Sequence, residues 1–259
     1  MISQDFVYDD SAQAHYQENG YYIFDNCLTP QGVDTCRSNI ERIVASLHAD
    51  SIPEEIICVH QRGERWLWDL AVQPQILDMI ERTIGPDILL WSIHILAKRP
   101  GAGIDVPWHQ DAPYWNVSGN MPGAIWLAID DVDEDNGSMS VLPGWHTKGT
   151  LPRRDSHASN AFNEEIEPGA LPENIDDIKV TYRLKSGQMA THHTMIPHSS
   201  TTNRSERWRR VIVLRYIAAD AQIGEKTYVC PITRETFDRE AFLVRGRDLN
   251  DQGRRQTPF

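Results

Sequence analysis

From Ile88 onward the chain reads as a succession of short apolar strands divided by turns, and this constrains its fold more than any other feature. ILLWSIHILAK (88–98) is a long strand ended by the turn RPGAG. GAIWLAID, SMSVLP, IKVTYRL, MATHHTM and RRVIVLRYIA follow, separated by EDNG, PGW and KSG. Runs rich in β-branched and aromatic residues, bounded by Gly, Pro, Asn and Asp, are strands joined by tight turns. The first 86 residues differ. Asp10 and Ser11 offer caps for a short helix stopped at Gly20, and YYIFDN is a strand. Thr29 and Pro30 then open an amphipathic helix carrying Val33, Cys36, Ile40, Ile43, Val44 and Leu47. Another helix runs from Pro74 to Ile84 and closes at Gly85. The order implies a β-sandwich or barrel with helices packed outside. The reading is one domain over 1–259, with a helical support region at 1–86 and a β core at 87–259. Residues 151–176 are polar and carry Pro and Gly, the composition of a long surface loop or lid.

Charge and cysteine usage exclude some functions. A net charge of −12 argues against a nucleic-acid or anionic-membrane surface, which needs a basic patch to neutralise phosphate. No segment reaches the apolar length of a membrane span, and MISQDFVYDD lacks the basic and apolar regions of a signal peptide. Cys27, Cys36, Cys58 and Cys230 have no zinc-type spacing and read as free thiols in a reducing compartment, with the cytoplasm as the expected location.

The chemistry concentrates in PWHQDAPYW (107–115). On a strand, side chains alternate, so His109 and Asp111 share a face while Gln110 points away. An imidazole and a carboxylate aimed at one point are two thirds of the two-histidine, one-carboxylate set that holds non-haem Fe(II) with open positions. A lone His-x-Asp is more often structural. The third ligand is sought among His192, His193 and His198 in GQMATHHTMIPHSSTTNRSERWRRVIVLRYI.

Three blocks, WHQDAPYW, AIWLAIDDVDEDNGSMSVLPGWHTKG and HTMIPHSSTTNRSERWRRVIVLRYI, resemble the phytanoyl-CoA dioxygenase family of Fe(II)/2-oxoglutarate oxygenases in order and spacing. The resemblance runs from GYYIF to FLVRGRD. It departs from the family's Pro-Gly-Ser-His pattern at Trp145 in Pro143-Gly144-Trp145-His146. It implies a mainly β fold with flanking α: a double-stranded β-helix, or jelly roll, braced by N-terminal helices. It implies Fe(II) on His109, Asp111 and His198, with 2-oxoglutarate and O₂ as cosubstrates. The arginine eleven residues beyond the distal histidine, which grips the far carboxylate of 2-oxoglutarate, falls on Arg209. Ser200 and Trp126 fall beside the cosubstrate, and Arg215 is the fallback for Arg209. An arginine fork suits a carboxylate, and Arg209 opens an otherwise apolar strand. His193 is read as supporting the ligands, His192 as facing outward, His146 as holding a turn and His94 as a packed histidine.

The implied activity is hydroxylation of an unactivated C–H bond with release of succinate and CO₂. Asp111 favours hydroxylation over halogenation, since halogenating relatives carry a small residue there. A cupin-type isomerase or hydrolase, or a non-catalytic ligand-binding relative, remains the alternative. Tyr114 and Trp115 are candidates for the substrate wall, as are Arg65 and Trp66, with Arg62, in a loop over 56–69 suited to an anionic small molecule with an apolar part. No basic cluster marks a CoA pyrophosphate site, so the expected substrate is a small metabolite or natural-product intermediate. The acidic run Asp130–Asp135 lacks EF-hand spacing and reads as a solvated hairpin.

Overall fold

The segments expected to be strands pair into two facing antiparallel sheets. The computed structural model describes residues 1–115, 117–118, 123–156 and 164–259. The N-terminal elements are α1 (Asp10–Asn19), β1 (Tyr21–Phe24), α2 (Pro30–Ala45), β2 (Ile56–Ile57), α3 (Arg65–Ala71) and α4 (Pro74–Ile84). Then come β3 (Ile88–Lys98), β4 (Val106–His109), β5 (Val117–Ser118), β6 (Gly123–Ala128), β7 (Met139–Val141), β8 (Arg153–Asp155) and β9 (Glu164–Ile166). The chain continues through α5 (Ile175–Ile178), β10 (Val180–Thr181), β11 (Met189–His192), β12 (His198–Ser200) and β13 (Arg209–Ala218). It ends with β14 (Gln222–Ile223), β15 (Thr227–Val229), β16 (Thr236–Asp238) and β17 (Phe242–Arg245).

The larger sheet has the order β1-β11-β6-β13-β3-β17, with β2 also paired to β3, and the smaller runs β10-β7-β12-β4. From β3 to β4, from β6 to β7 and from β12 to β13 the chain passes between the sheets, which makes a double-stranded β-helix. The N-terminal region is therefore more than a helical brace, because β1 and β2 are strands of the larger sheet.

Period-two alternation assigns the two faces of that sheet. On β13, Ile212, Leu214 and Tyr216 enter the large core shared with the helices, while Val211 and Val213 enter a second core between the sheets. Ile40 and Ile43 of α2 and Ile76 and Ile80 of α4 cover the outer face. Each such side chain removed from water contributes about 1.5–3 kcal/mol. Helix starts follow local chemistry. Thr29 accepts from Gly32 N at the head of α2, as expected, whereas α1 is capped by Asp9 through Ala12 N, one residue earlier than the sequence suggests. Gly20, at φ 77°, ends α1 in the left-handed conformation that glycine adopts without strain.

The acidic turn is more than a solvated hairpin. Asp130 accepts from Arg210 Nε (2.7 Å), Nη2 (2.9 Å) and backbone N (2.9 Å), and Arg210 Nη1 also meets Glu41 (2.5 Å). These pairs clamp the ends of β6 and β13 to α2. Asp130→Ala would leave Arg210 with Glu41 alone, and the expected loss is about 2 kcal/mol, below the full cost of orphaning a buried charge. Urea denaturation of the two proteins checks it.

Candidate functional site

His109 ends β4, and its register partner across the smaller sheet is His198, the first residue of β12. Pairing places the two rings 4.0 Å apart, centre to centre. Asp111 lies just past the strand with helical backbone angles, at the head of a short 3-10 turn. Convergence of His109 and Asp111 thus arises from a strand end running into a turn, not from strand alternation. Gln110 is buried as well. Its amide donates to Gly149 O and Met195 O (both 2.8 Å) and its oxygen accepts from Leu151 N (2.9 Å), tying the turn to its neighbours.

One ligand atom from each of His109, Asp111 and His198 lies within 4.8 Å of the others, and all three residues are buried. Asp111 Oδ1 is 3.8 Å from His109 Nε2 and 4.0 Å from His198 Nε2. Nδ1 of His109 sits 2.8 Å from Pro107 O, and Nδ1 of His198 sits 3.0 Å from Ile196 O. A carbonyl only accepts, so each Nδ1 carries the proton and each Nε2 turns a lone pair towards Asp111. Burial, then His198, pushes the His109 pKa down to about 3, and burial lowers that of His198. Burial works to raise the Asp111 pKa, but Arg215 and the neighbouring histidines hold it well below the usual carboxylate range. Neutral imidazoles and an ionised carboxylate are the protonation states a divalent cation requires.

The triad opens into a cavity of ≈ 320 Å³. Arg209, Ser200 and Trp126, expected beside a cosubstrate, line one side of it. Arg209 is buried with its guanidinium 5.6 Å over the Trp126 ring, and its Nε has no partner among the described residues. Lys98 adds a second buried basic side chain here that the motifs gave no reason to select. It is the register partner of Arg209, donates to Ser200 Oγ (2.9 Å) and Thr201 O, and lines the same cavity. Its signal in sequence is a lysine ending an apolar strand in phase with His94 and Leu96. Arg215, the fallback for Arg209, faces the triad instead, 3.5 Å from Asp111 Oδ2 and 3.0 Å from His94 Nδ1. That contact gives His94 the partner expected of a packed histidine.

Tyr114 and Trp115 line the cavity, and Trp115 stacks on Trp91 at 4.5 Å. Two assignments need correction. Arg65 and Trp66 are not on its lining: Arg65 is exposed and pairs with Asp69, and Trp66 donates to Glu64 and packs on the large core. Their helix turns these side chains away, and Arg62 pairs with Glu235. The histidine pair is also reversed. His192 is in phase with inward-facing Ala190, lines the cavity and has its ring 5.2 Å from that of His198. His193 lies beyond the end of β11, accepts from Met195 N (3.0 Å) and packs against His146. His146 itself meets Gln17 O (3.2 Å) and abuts Gly20.

Burial pushes the Lys98 pKa from 10.5 down to about 6, with Arg209 acting in the same direction. In the unfolded chain the lysine keeps its ordinary value, so between these two values the unfolded state binds more protons. Stability of the cosubstrate-free protein therefore rises as pH is raised through this window and falls as pH is lowered. Urea denaturation at pH 7, 8 and 9 should show a rise of up to about 1 kcal/mol per pH unit that flattens in Lys98→Met. Equal slopes would mean that Lys98 stays charged in the folded protein.

Comparison with known proteins agrees with this geometry. The family model for phytanoyl-CoA dioxygenase (PhyH) matches residues 16–211. Mouse "phytanoyl-CoA dioxygenase, peroxisomal" is 25% identical, over 92% of this chain and 76% of that protein. "L-proline trans-4-hydroxylase" of Streptomyces griseoviridis is 25% identical, over 79% of this chain and 85% of that one. Among solved structures, apo ThoJ, a non-heme monooxygenase, superposes with a TM-score of 0.71 at 26% identity, covering 96% of this chain and 86% of that one. EctD from S. alaskensis, solved with 2-oxoglutarate and 5-hydroxyectoine, shares the fold at a TM-score of 0.69 and 18% identity, covering 86% of this chain and 80% of that one. No helix among the described residues is long and apolar enough to cross a membrane. With the family model spanning most of the jelly roll and the His-Asp-His cluster at its centre, the chain belongs to the phytanoyl-CoA dioxygenase family.

Proposed function

We propose that this protein is an Fe(II)- and 2-oxoglutarate-dependent dioxygenase that hydroxylates a C–H bond of a small organic substrate, releasing succinate and CO₂. The observation that carries the reading is one cavity holding both a buried His-Asp-His cluster and a buried arginine with no ion-pair partner among the described residues. Metal binding alone would explain the cluster. Arg209 adds the demand for a carboxylate, which an isomerase or hydrolase of cupin type would not need.

Each side chain then has a task. His109, Asp111 and His198 would hold Fe(II) and, as three ligands, leave positions open. Bound iron and 2-oxoglutarate supply the oxidising power for the C–H bond. Arg209 pairs with the far carboxylate of the cosubstrate, Ser200 donates to it, and Trp126 walls it on one side. Lys98, through its hydrogen bond to Ser200 Oγ, fixes that hydroxyl. His192 packs against the His198 ring and limits its rotation. Trp115 and Tyr114 keep water from the substrate side.

Residues 151–176 are read as a flap over this side. Tyr114 Oη donates to Glu164 O (3.2 Å) and the Arg153 guanidinium lies 5.2 Å over the Tyr114 ring, which supports that reading. The part of the segment at 157–163 lies outside the described residues. One domain over 1–259 is supported by the large core, which takes residues from Ile2 to Phe242. Four free, buried cysteines support a reducing compartment such as the cytoplasm.

The test is anaerobic addition of Fe(II) and 2-oxoglutarate to metal-free protein, read as the weak visible band of a chelated 2-oxo acid. The band should vanish in His109→Ala and in Asp111→Ala. Arg209→Ala should need at least about 10-fold more 2-oxoglutarate, the loss of one charge-assisted pair. Absence of the band in folded, iron-loaded protein would overturn the reading, and a succinate assay with O₂ separates an oxygenase from a non-catalytic binder.

A further inference from the structure

In this acidic chain most basic side chains find a carboxylate, and the exceptions that are buried have a pattern. Among the described residues four lysine and arginine side chains are buried: Lys98, Arg209, Arg210 and Arg239. Arg210 pairs with Asp130 and Glu41. Among the described residues none of the other three forms an ion pair; Lys98 and Arg209 line the cavity of the metal cluster, and Arg239 packs on Trp91 of its lining. Lys98 and Arg209 mark the end assigned above to the cosubstrate. Arg239 stands at the other end, its guanidinium 4.3 Å over the Trp91 ring.

The distance between these ends comes from the sheet. Arg209 and Arg215 lie six residues apart on the inner face of β13, about 20 Å of strand. Arg215 faces Asp111 and also lies 5.3 Å over Trp115, which stacks on Trp91. Past this aromatic pair, β15 and β16 form a hairpin whose flanks carry Lys226 and Arg239, joined by Arg239 N to Lys226 O (2.9 Å). Lys226 and Tyr228 line the cavity. Arg239 Nη2 donates to Gly224 O, while its Nε and Nη1, like Trp91 Nε1, have no hydrogen-bond partner among the described residues. The one carboxylate beside Arg215 is Asp111, which belongs to the metal cluster. Buried charges persist when they are paired, and this group of donors and cations lacks an anion. Cation–π contact with Trp91 offsets part of that need but supplies no opposite charge.

We propose that the substrate is a small organic acid whose anionic group docks at the Lys226–Arg239 end while its carbon frame lies along Trp91 and Trp115. This rests on the oxygenase reading for the reaction, but the docking claim is separately measurable. The anion class expected from Arg62 and Arg65 is thereby kept and its recognition moved to the C-terminal hairpin. A cavity of ≈ 320 Å³, at the small end for ligand sites, fits a compact acid.

The experiment is calorimetric titration of indole-3-propanoate and its neutral amide into anaerobic protein saturated with Fe(II) and 2-oxoglutarate, so that the Arg209 end is occupied. The acid should bind at least about 10-fold more tightly than the amide. That preference should shrink to near parity in Arg239→Met and fall in Lys226→Gln, an exposed site whose substitution leaves the fold alone. The visible 2-oxo-acid band and the thermal transition should persist in both variants, which separates lost docking from lost folding. Equal binding of acid and amide to the wild type would overturn the proposal, as would a preference unchanged in Lys226→Gln and in folded Arg239→Met. A preference lost in Arg209→Met instead would also overturn it, because the acid would then be occupying the cosubstrate end. Failure of the oxygenase reading shows separately, as no 2-oxo-acid band in any protein, and the same acid–amide comparison on metal-free protein then still reads the docking.

Discussion

The pairing of β3 with β13 along their whole length is the constraint on which the site depends. Each strand has one face in the helix-covered core and one towards the smaller sheet, so a slip of one residue would exchange the two. In the observed register Arg209 meets Lys98, Val213 meets His94 and Arg215 meets Ser92. An irregularity between Arg215 and Tyr216 leaves Trp91 without a partner, and the phase of β3 changes there. Trp91 and His94 both reach the cavity for that reason, three residues apart.

Charge follows the same geometry. With a net charge of −12 the protein has acidic partners to spare, and its surface arginines use them: Arg42 with Glu64, Arg207 with Asp133, Arg245 with Asp78 and Glu81. Inside the cavity no ion pair among the described residues joins Glu54 or Glu55, which line it, to Arg209 or Lys98. Asp111 serves Arg215 and the two histidines at once, and burial keeps those histidines neutral. Buried donors left without an ion-paired acid favour ligands that bring negative charge. The energy of that preference is stored as the desolvation of Lys98 and Arg209.

Much of the fold is legible in the sequence because it is local. The helix at Pro30 and the strands at 88–98 and 209–218 are written in caps, periodicity and β-branched runs, and each occupies the expected residues. The His-x-Asp pair is legible from type and spacing, and the family resemblance is what joins His198 to it. Arg65 and Trp66 show the limit. Chemistry alone recommends them for a pocket, but the direction of a side chain on a short helix depends on what that helix packs against. His192 and His193 show another: adjacent histidines differ by half a strand period, and only the position at which β11 ends decides which one faces inward.

The amino-acid order by itself determined the main elements and the His109–Asp111 pair, because these rest on residue type and short-range spacing, while resemblance to the family singled out His198 and Arg209. Tertiary structure alone decided that Lys98 stands beside Arg209, that His192 backs His198, and that Lys226 returns from the C-terminal hairpin to the cavity while Arg239 packs on its Trp91. These are contacts between segments distant in the chain. Their geometry is fixed by strand register and by which faces the core leaves open, and neither quantity is a property of any one segment.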